Sequence, residues 1–481
     1  MAFKEFSTDY LVLEAENASL FDLFRIFYSS ELDKRDFFDA PTGSVEALLA
    51  SFRHRWVVFV SVVAQKLLLL GGAPMKWIGS TIELLLNYPI SNGGYFHLMV
   101  NLVKGRVVRP DVLSSTFRSL MGNLDLRVDL DKNITKGDYR YNAALSIMAS
   151  KLSYENEAFV ETVVREKWQM EFLNFYNFYN DYLDTYSTQA IIFQDKNNNP
   201  DLVMVAFRGT EPFNPDDWRA DVDLSWYELP GLGRIHAGFM KALGLQKEKG
   251  WPKEIDQNNN QKPLYAYYTI REQLKQIIIE NKNTKFIMSG HSLGGALAIL
   301  FLSILVLQNE ELLLERCEGV YTFGQPRVGD EEFGEFMKKN LRSFNIGYHR
   351  YVYANDIVPR LPYDDKTLYY KHFGPSIYFN VFYKGQILEE EPNKNYFSLT
   401  WVLPKYLNAI FELIRSSILP WILGDEYREG WFEILYRMIG LIIPGLSNHG
   451  PQDYDNVTRL ASSISSLSID EIMGQQGLKV E

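Results

Sequence analysis

From about residue 139 onward, apolar and polar positions alternate in blocks whose lengths switch between strand and helix. Residues 188–193 and 202–207 are β-branched, apolar runs on either side of a polar loop, which is a hairpin signature. Beyond them the pattern predicts a helix over 265–280, a buried strand over 285–289 and an apolar helix over 293–307. A strand over 319–323, a helix over 331–340 and a strand over 348–353 follow. Ahead of the hairpin, 140–152 reads as a helix and 154–182 as a second, strongly aromatic one. Strands alternating with helices indicate an α/β fold with a mainly parallel, helix-covered sheet.

Two regions are too apolar for this pattern. The first runs over 56–64 and 67–70, joined by Gln65-Lys66 and closed by Pro74, with further apolar pieces at 77–90 and 96–103. A spanning helix wants about 20 predominantly apolar residues. Lys66 near its middle would cost about 2.5–3.5 kcal/mol at mid-bilayer. A segment lying in one leaflet fits better than one crossing the bilayer; a helical pair buried on the main domain is the competing reading. The second region, 364–446, carries helix-length aromatic segments at 396–403, 410–423 and 431–443. These are either buried in the globule or form an interfacial patch, and exposed apolar patches of that size mark interaction sites. The expected division is an apolar, lipid-associating region at 1–138 and an α/β domain at 139–481 containing the helical insertion 364–446.

Composition narrows the partners. The hydrophobic fraction is 46% and the charged fraction 23%, both ordinary for a globular protein. The net charge of −11 argues against nucleic acid and against a polybasic grip on anionic membrane, so a neutral lipid surface suits the chain better. A single cysteine, Cys317, excludes an internal disulfide and Cys-based zinc or iron–sulfur sites, and suggests a chain outside oxidising compartments. Residues 1–20 lack a basic stretch followed by an apolar one, so no secretory signal is expected. Asp195, Asn197 and Asn199 begin like a calcium loop, but Pro200 and Ala206 stand where glycine and glutamate are needed. Asp216, Asp217, Asp221 and Asp223 have no histidine at ligand spacing and read as caps and internal acceptors. No metal or other cofactor is expected.

The sharpest chemical signal is Gly290-His291-Ser292-Leu293-Gly294, a Gly-x-Ser-x-Gly pentapeptide between an expected strand and an expected helix. A turn tight enough to lift a serine out of the sheet brings its flanks against neighbouring backbone, so Gly290 and Gly294 must lack side chains. Leu293 N–H, at the helix start, can point at a developing oxyanion. A serine hydroxyl needs a base oriented by a third group, and in this architecture the chain order is Ser, acid, His. Asp356 follows an expected strand; Asp364 and Asp365 are reserve acids in a turn. Beyond Asp356 only His372 and His449 remain. His372 sits in a strand-like run, whereas His449 lies in a polar loop opening a helix, so His449 is the expected base. Thr210, after the strand 202–207, is placed to supply the second oxyanion donor through its N–H and Oγ.

Phe207-Arg208-Gly209-Thr210, the Gly290–Gly294 pentapeptide, the run Tyr321 to Arg327 and Asn355-Asp356-Ile357-Val358-Pro359, in this order, resemble the class 3 (fungal-type) lipases. The resemblance covers about 139–363 and resumes at His449. It implies an α/β-hydrolase fold, cofactor-free ester hydrolysis, Ser292, Asp356 and His449 as the triad, and Thr210 and Leu293 as the oxyanion hole. The chain departs from compact fungal enzymes in its first roughly 130 residues and in the about ninety residues between Asp356 and His449. In both it is similar to plant oil-body lipases. That implies triacylglycerol as substrate and a lipid-droplet surface, on its cytosolic side, as partner and location. The rivals are a phospholipase A1 or galactolipase, a non-enzymatic lipase-like signalling scaffold, and a structural droplet coat.

Overall fold

The computed structural model describes residues 6–28, 36–41, 51–197, 200–255, 263–364, 369–424 and 427–460. Asn199 and the reserve acid Asp365 lie outside them. Among the described residues the strands are β1 (Asp9–Leu13), β2 (Phe38–Asp39), β3 (Glu171–Asn180), β4 (Thr185–Asp195), β5 (Leu202–Phe207) and β6 (Trp226–Leu229). β7 (Gly233–His236), β8 (Lys285–His291), β9 (Cys317–Phe323), β10 (Gly347–Tyr353), β11 (Ser376–Phe379) and β12 (Gly385–Leu388) follow.

The main sheet has the order β12-β11-β10-β9-β8-β5-β4-β3. β5, β8, β9, β10 and β11 run parallel, and antiparallel strands close both edges. Along β5 the side chains divide with the strand period of two. Val203, Val205 and Phe207 join a core with the helices Ala266–Glu280 and Leu293–Leu307. Leu202, Met204 and Ala206 join a second core with Tyr141–Leu152 and Pro451–Leu460. Leu293–Leu307 is apolar on every side because it is buried on every side. This is the mainly parallel, helix-covered sheet that the alternation predicts, and the α/β-hydrolase architecture that the resemblance implies. Register aligns Phe207 with Gly290 and His291 with Phe323, so the parallel strands end at one edge. In parallel sheets that carboxyl edge is where sites form.

Three expectations are corrected. Residues 154–182 are not one helix: a short helix, Glu157–Thr162, gives way to β3, which pairs with β4. Aromatic residues serve strands as readily as helices, and here pairing with β4 decides. Pro74 does not end the first apolar segment, because Phe52–Ser91 is one continuous helix with Pro74 and Pro89 inside it. Gly72 against Pro215 and Gly79 against Phe213 seat that helix on Pro215–Val222, and this packing outweighs the lost turn. The insertion is not purely helical, since its first part adds β11 and β12 to the sheet before the helices Val402–Leu423 and Trp431–Gly440. The amino-terminal region is also interwoven with the catalytic body: β1 pairs with β6 in a four-stranded sheet, β2-β1-β6-β7.

Candidate active site

Ser292 stands between β8 and Leu293–Leu307 at φ 59°, ψ −131°. A non-glycine residue there costs on the order of 1–3 kcal/mol and persists only where its surroundings over-determine it. They do: Ser292 N–H donates to the Phe323 carbonyl at 2.8 Å, and Gly295 N–H donates to the Ser292 carbonyl at 3.0 Å. A Cβ at Gly290 would lie 2.1 Å from the Gly294 carbonyl carbon, and one at Gly294 would lie 2.2 Å from the Phe207 oxygen. Both positions are closed to any side chain.

Asp356 lies just beyond the end of β10. Its buried carboxylate accepts from Tyr454 OH at 2.5 Å and from Val358 N–H at 2.9 Å. His449 sits in the turn Ser447–His449, ahead of the helix Pro451–Leu460. Its Nδ1 is 2.9 Å and 3.0 Å from the two Asp356 oxygens, and its Nε2 is 2.8 Å from Ser292 Oγ. A carboxylate at Nδ1 sets the tautomer with the proton there, leaving Nε2 to accept from the serine. The three side chains chosen from the sequence therefore form one hydrogen-bonded line, an arrangement able to activate a serine for attack on an ester carbonyl. Asp364 is paired with Lys394 at 2.6 Å instead. His372 is held by the Pro359 carbonyl at 2.7 Å, and burial drives its pKa well below the usual histidine range.

Thr210 and Leu293 flank the serine, one after β5 and one in the first helical turn. Among the described residues neither N–H has an internal acceptor, which leaves both for a ligand. The Thr210 hydroxyl is differently engaged from the expectation: it donates to Asp221 Oδ2 at 2.6 Å. Only its N–H remains for the site. Burial pushes the Asp221 carboxyl up to about 7. Asp217 accepts from Glu211 N–H at 3.0 Å and from Arg208, and Asp223 accepts from Ser225 N–H at 3.0 Å. Asp195 is taken by Lys136 and Tyr141.

Sequence reasoning missed five neighbours. His291 Nε2 is 2.7 Å from the His449 carbonyl and its Nδ1 is 3.0 Å from Tyr154 OH. Tyr454 buttresses the acid. Gly324, at φ +62°, passes so close that a Cβ would lie 2.9 Å from Asp356 Oδ2 and from His449 Nδ1. A Cβ at Gly209 would meet Tyr154 OH at 2.1 Å and Ser292 Cβ at 3.0 Å. Of these, only His291, inside the pentapeptide, and Gly209 and Gly324, inside quoted motifs, left a trace in the sequence.

The helix after His449 is clamped from two sides. Asp453 takes Arg415 at 3.2 Å and Arg437 at 3.0 Å, both from the insertion helices. Asp455 takes Arg127 at 3.3 Å, from the amino-terminal region. The outer faces of the same elements are apolar and open: Leu403, Leu407, Ile414 and Trp421 on Val402–Leu423, with Trp421 89% exposed. Phe96, Met99 and Val103 on Tyr95–Val103 are also exposed, and Trp431 Nε1–H donates to Tyr95 OH at 2.7 Å, joining the two surfaces.

A strained serine between strand and helix, backed by imidazole and carboxylate at the carboxyl edge of a mainly parallel sheet, defines a serine ester hydrolase of the α/β-hydrolase class. Residues 204–366 match the family described as lipase (class 3). Triacylglycerol lipase OBL1 of Arabidopsis thaliana is 39% identical over 491 residues, covering 94% of this chain and 95% of that one. Triacylglycerol lipase OBL1 of Nicotiana tabacum is 40% identical over 483 residues, covering 86% and 84%. The solved Rhizomucor miehei lipase propeptide complex aligns with 51% of this chain and 69% of that one, at 23% identity and a TM-score of 0.37. The chain belongs to the class 3 lipase family.

Proposed function

We propose that this protein hydrolyses the ester bonds of triacylglycerol stored in lipid droplets, working at the droplet surface on its cytosolic side. The observation that carries the reading is the His449 ring bridging Ser292 Oγ and Asp356. His449 Nε2 takes the proton as Ser292 Oγ attacks the carbonyl carbon, while Asp356 holds the ring and stabilises its cation. Thr210 N–H and Leu293 N–H receive the oxyanion, where one donor is worth about 10²–10³ in rate. The imidazolium returns the proton to the departing diacylglycerol alkoxide. Water, deprotonated by the same ring, then releases the fatty acid. Ser292→Ala should lower fatty-acid release from a triolein emulsion by at least about 10³-fold; undiminished release overturns the proposal.

The droplet surface is supported by the joined apolar faces of Tyr95–Val103 and the insertion helices, by the net charge of −11 and by the names of the relatives. The helix Phe52–Ser91 is long and apolar enough to cross a bilayer. Its inner side, however, bonds the catalytic body along its length: Ser61 Oγ donates to the Val222 carbonyl at 2.7 Å, and Lys76 pairs with Asp216 at 2.8 Å. A helix so held supports docking in one leaflet rather than spanning. Flotation with phosphatidylcholine-coated triolein droplets tests this, and recovery of the protein away from the droplets counts against it.

A further inference from the structure

The loop leading to His449 is held from the insertion. Tyr436 OH donates to the Leu446 carbonyl at 2.8 Å, and Tyr396 OH donates to the Pro444 carbonyl. Gly440, ending the helix Trp431–Gly440, comes so close that a Cβ there would lie 2.2 Å from Ser447 Oγ. On the other side a Cβ at Gly445 would lie 2.2 Å from the Asn355 carbonyl oxygen. The loop is thus wedged between the insertion and the turn that carries Asp356.

Two side chains tie these segments together. Asn448 and Asn355 immediately precede His449 and Asp356 in the chain. Asn448 Oδ1 accepts from Asn355 N–H at 3.3 Å, and Asn448 Nδ2 donates to Glu412 Oε2 at 2.6 Å. The other oxygen of Glu412 accepts from Tyr353 OH at 3.0 Å. Tyr353 closes β10, and its N–H donates at 3.3 Å to Tyr454 OH, the hydroxyl that in turn donates to Asp356. One carboxylate on the helix Val402–Leu423 therefore reaches the base through Asn448 and the acid through Tyr353.

Glu412 is 1% and Asn448 2% exposed. Groups so buried hold one geometry, because each broken hydrogen bond would leave a polar atom unpaired. Both Glu412 oxygens are spent on the segments that carry acid and base, while Arg437 Nη1 stays at 4.0 Å. In the proposed mechanism the His449 ring must reach Ser292 Oγ and Asp356 at once, and a misplacement of about 1 Å costs on the order of 10² in rate.

We propose that Glu412 and Asn448 are positioning residues, a bridge from the insertion helix that fixes the His449 ring against Asp356 and Ser292. The inference rests on the ester-hydrolase reading above and deepens it, giving the insertion a part in the chemistry as well as in docking. Both residues act through His449 and Asp356, so their loss slows turnover and leaves substrate affinity alone.

The test measures kcat and KM of the full chain on soluble p-nitrophenyl butyrate, with kcat taken per serine titrated by a fluorophosphonate, so that unfolded protein is not counted. Asn448→Leu keeps the size of the side chain and loses both hydrogen bonds. Its kcat should fall about tenfold or more, with KM within about twofold of wild type. The double variant Glu412→Gln/Asn448→Asp reverses the polarity of the bridge. The new amide donates to the new carboxylate, which still accepts from Asn355 N–H, and Tyr353 OH keeps its acceptor. That variant should stay within about threefold of wild type. Asn448→Ser, too short to reach both partners, should show the same fall if Asn448→Leu does not fold. A kcat within about twofold of wild type in the folded single variant, or a double variant as slow as the single one, overturns the positioning role and leaves the hydrolase reading intact. No ester hydrolysis by wild type overturns both.

Discussion

At the residue scale, the position between Gly290 and Ser292 carries more than spacing. Burial drives the His291 pKa well below the usual histidine range, so the ring is neutral. Its Nε2–H donates to the His449 carbonyl and its Nδ1 accepts from Tyr154 OH, which sets the tautomer. A neutral ring matters to the proposed mechanism because the two imidazoles stand 4.6 Å apart, and a charged His291 would oppose the imidazolium that mechanism forms at His449. Tyr154→Phe removes one hydrogen bond, worth about 0.5–1.5 kcal/mol. On soluble p-nitrophenyl butyrate, kcat should fall about 2–10-fold with KM little changed; a change confined to KM would refute the positioning role. Gly209→Ala should be far worse, with kcat down about 10²-fold or more, because its methyl has no room beside Tyr154 and Ser292. Ser292, Asp356 and His449, which the fold brings into one hydrogen-bonded line, were legible at this scale because each was chosen for its residue type and its place in the chain order. Tyr154 and Tyr454 were not: a tyrosine in an aromatic-rich chain carries no mark of its partner until the chain folds.

At the element scale, the insertion helices have two faces with opposite duties. Inward, Arg437 is enclosed by Glu429, Glu433 and Asp453, and Asp453 lies in the helix that follows His449. Arg437→Met leaves Glu429 and Glu433 without this cation and Asp453 with Arg415 alone, and should cost about 3–5 kcal/mol in urea unfolding. Outward, Ile414 and Trp421 meet solvent. A double change of both to serine should lower activity on triolein emulsion about tenfold or more while leaving p-nitrophenyl butyrate hydrolysis within about twofold, because it removes docking area and not chemistry. An equal loss on both substrates would argue against an interfacial role. Helix-length apolar runs announced Val402–Leu423 and Trp431–Gly440, but not which face each presents. The same ambiguity produced the misreading of 154–182, where ten residues of aromatic pattern were equally compatible with β3.

For the whole molecule, two sets of buried titratable groups oppose each other. Burial raises Glu83, Glu155, Asp217 and Asp221 to about 7. The folded state therefore binds more protons than the unfolded chain between about pH 4 and 7, and this contribution to stability is lost as pH rises through that window. Burial lowers His236, His291, His349 and His372, whose contribution is lost as pH falls below about 6.5. Glu155→Gln isolates one member: its stability relative to wild type, from urea midpoints, should increase steadily from pH 4.5 to 7, and a flat difference would contradict burial of that carboxyl. The sequence by itself determined the alternation of strand and helix, the strained serine with its two glycines, and the choice of the three side chains that line up at the sheet edge, because these depend on local sterics and chain order. Tertiary structure alone decided the rest: β1 pairing with β6 across the chain, β11 and β12 extending the sheet, and the long helix seated on Pro215–Val222. Those features depend on contacts between residues far apart in the chain, and no local pattern encodes which distant surface a given apolar face will meet.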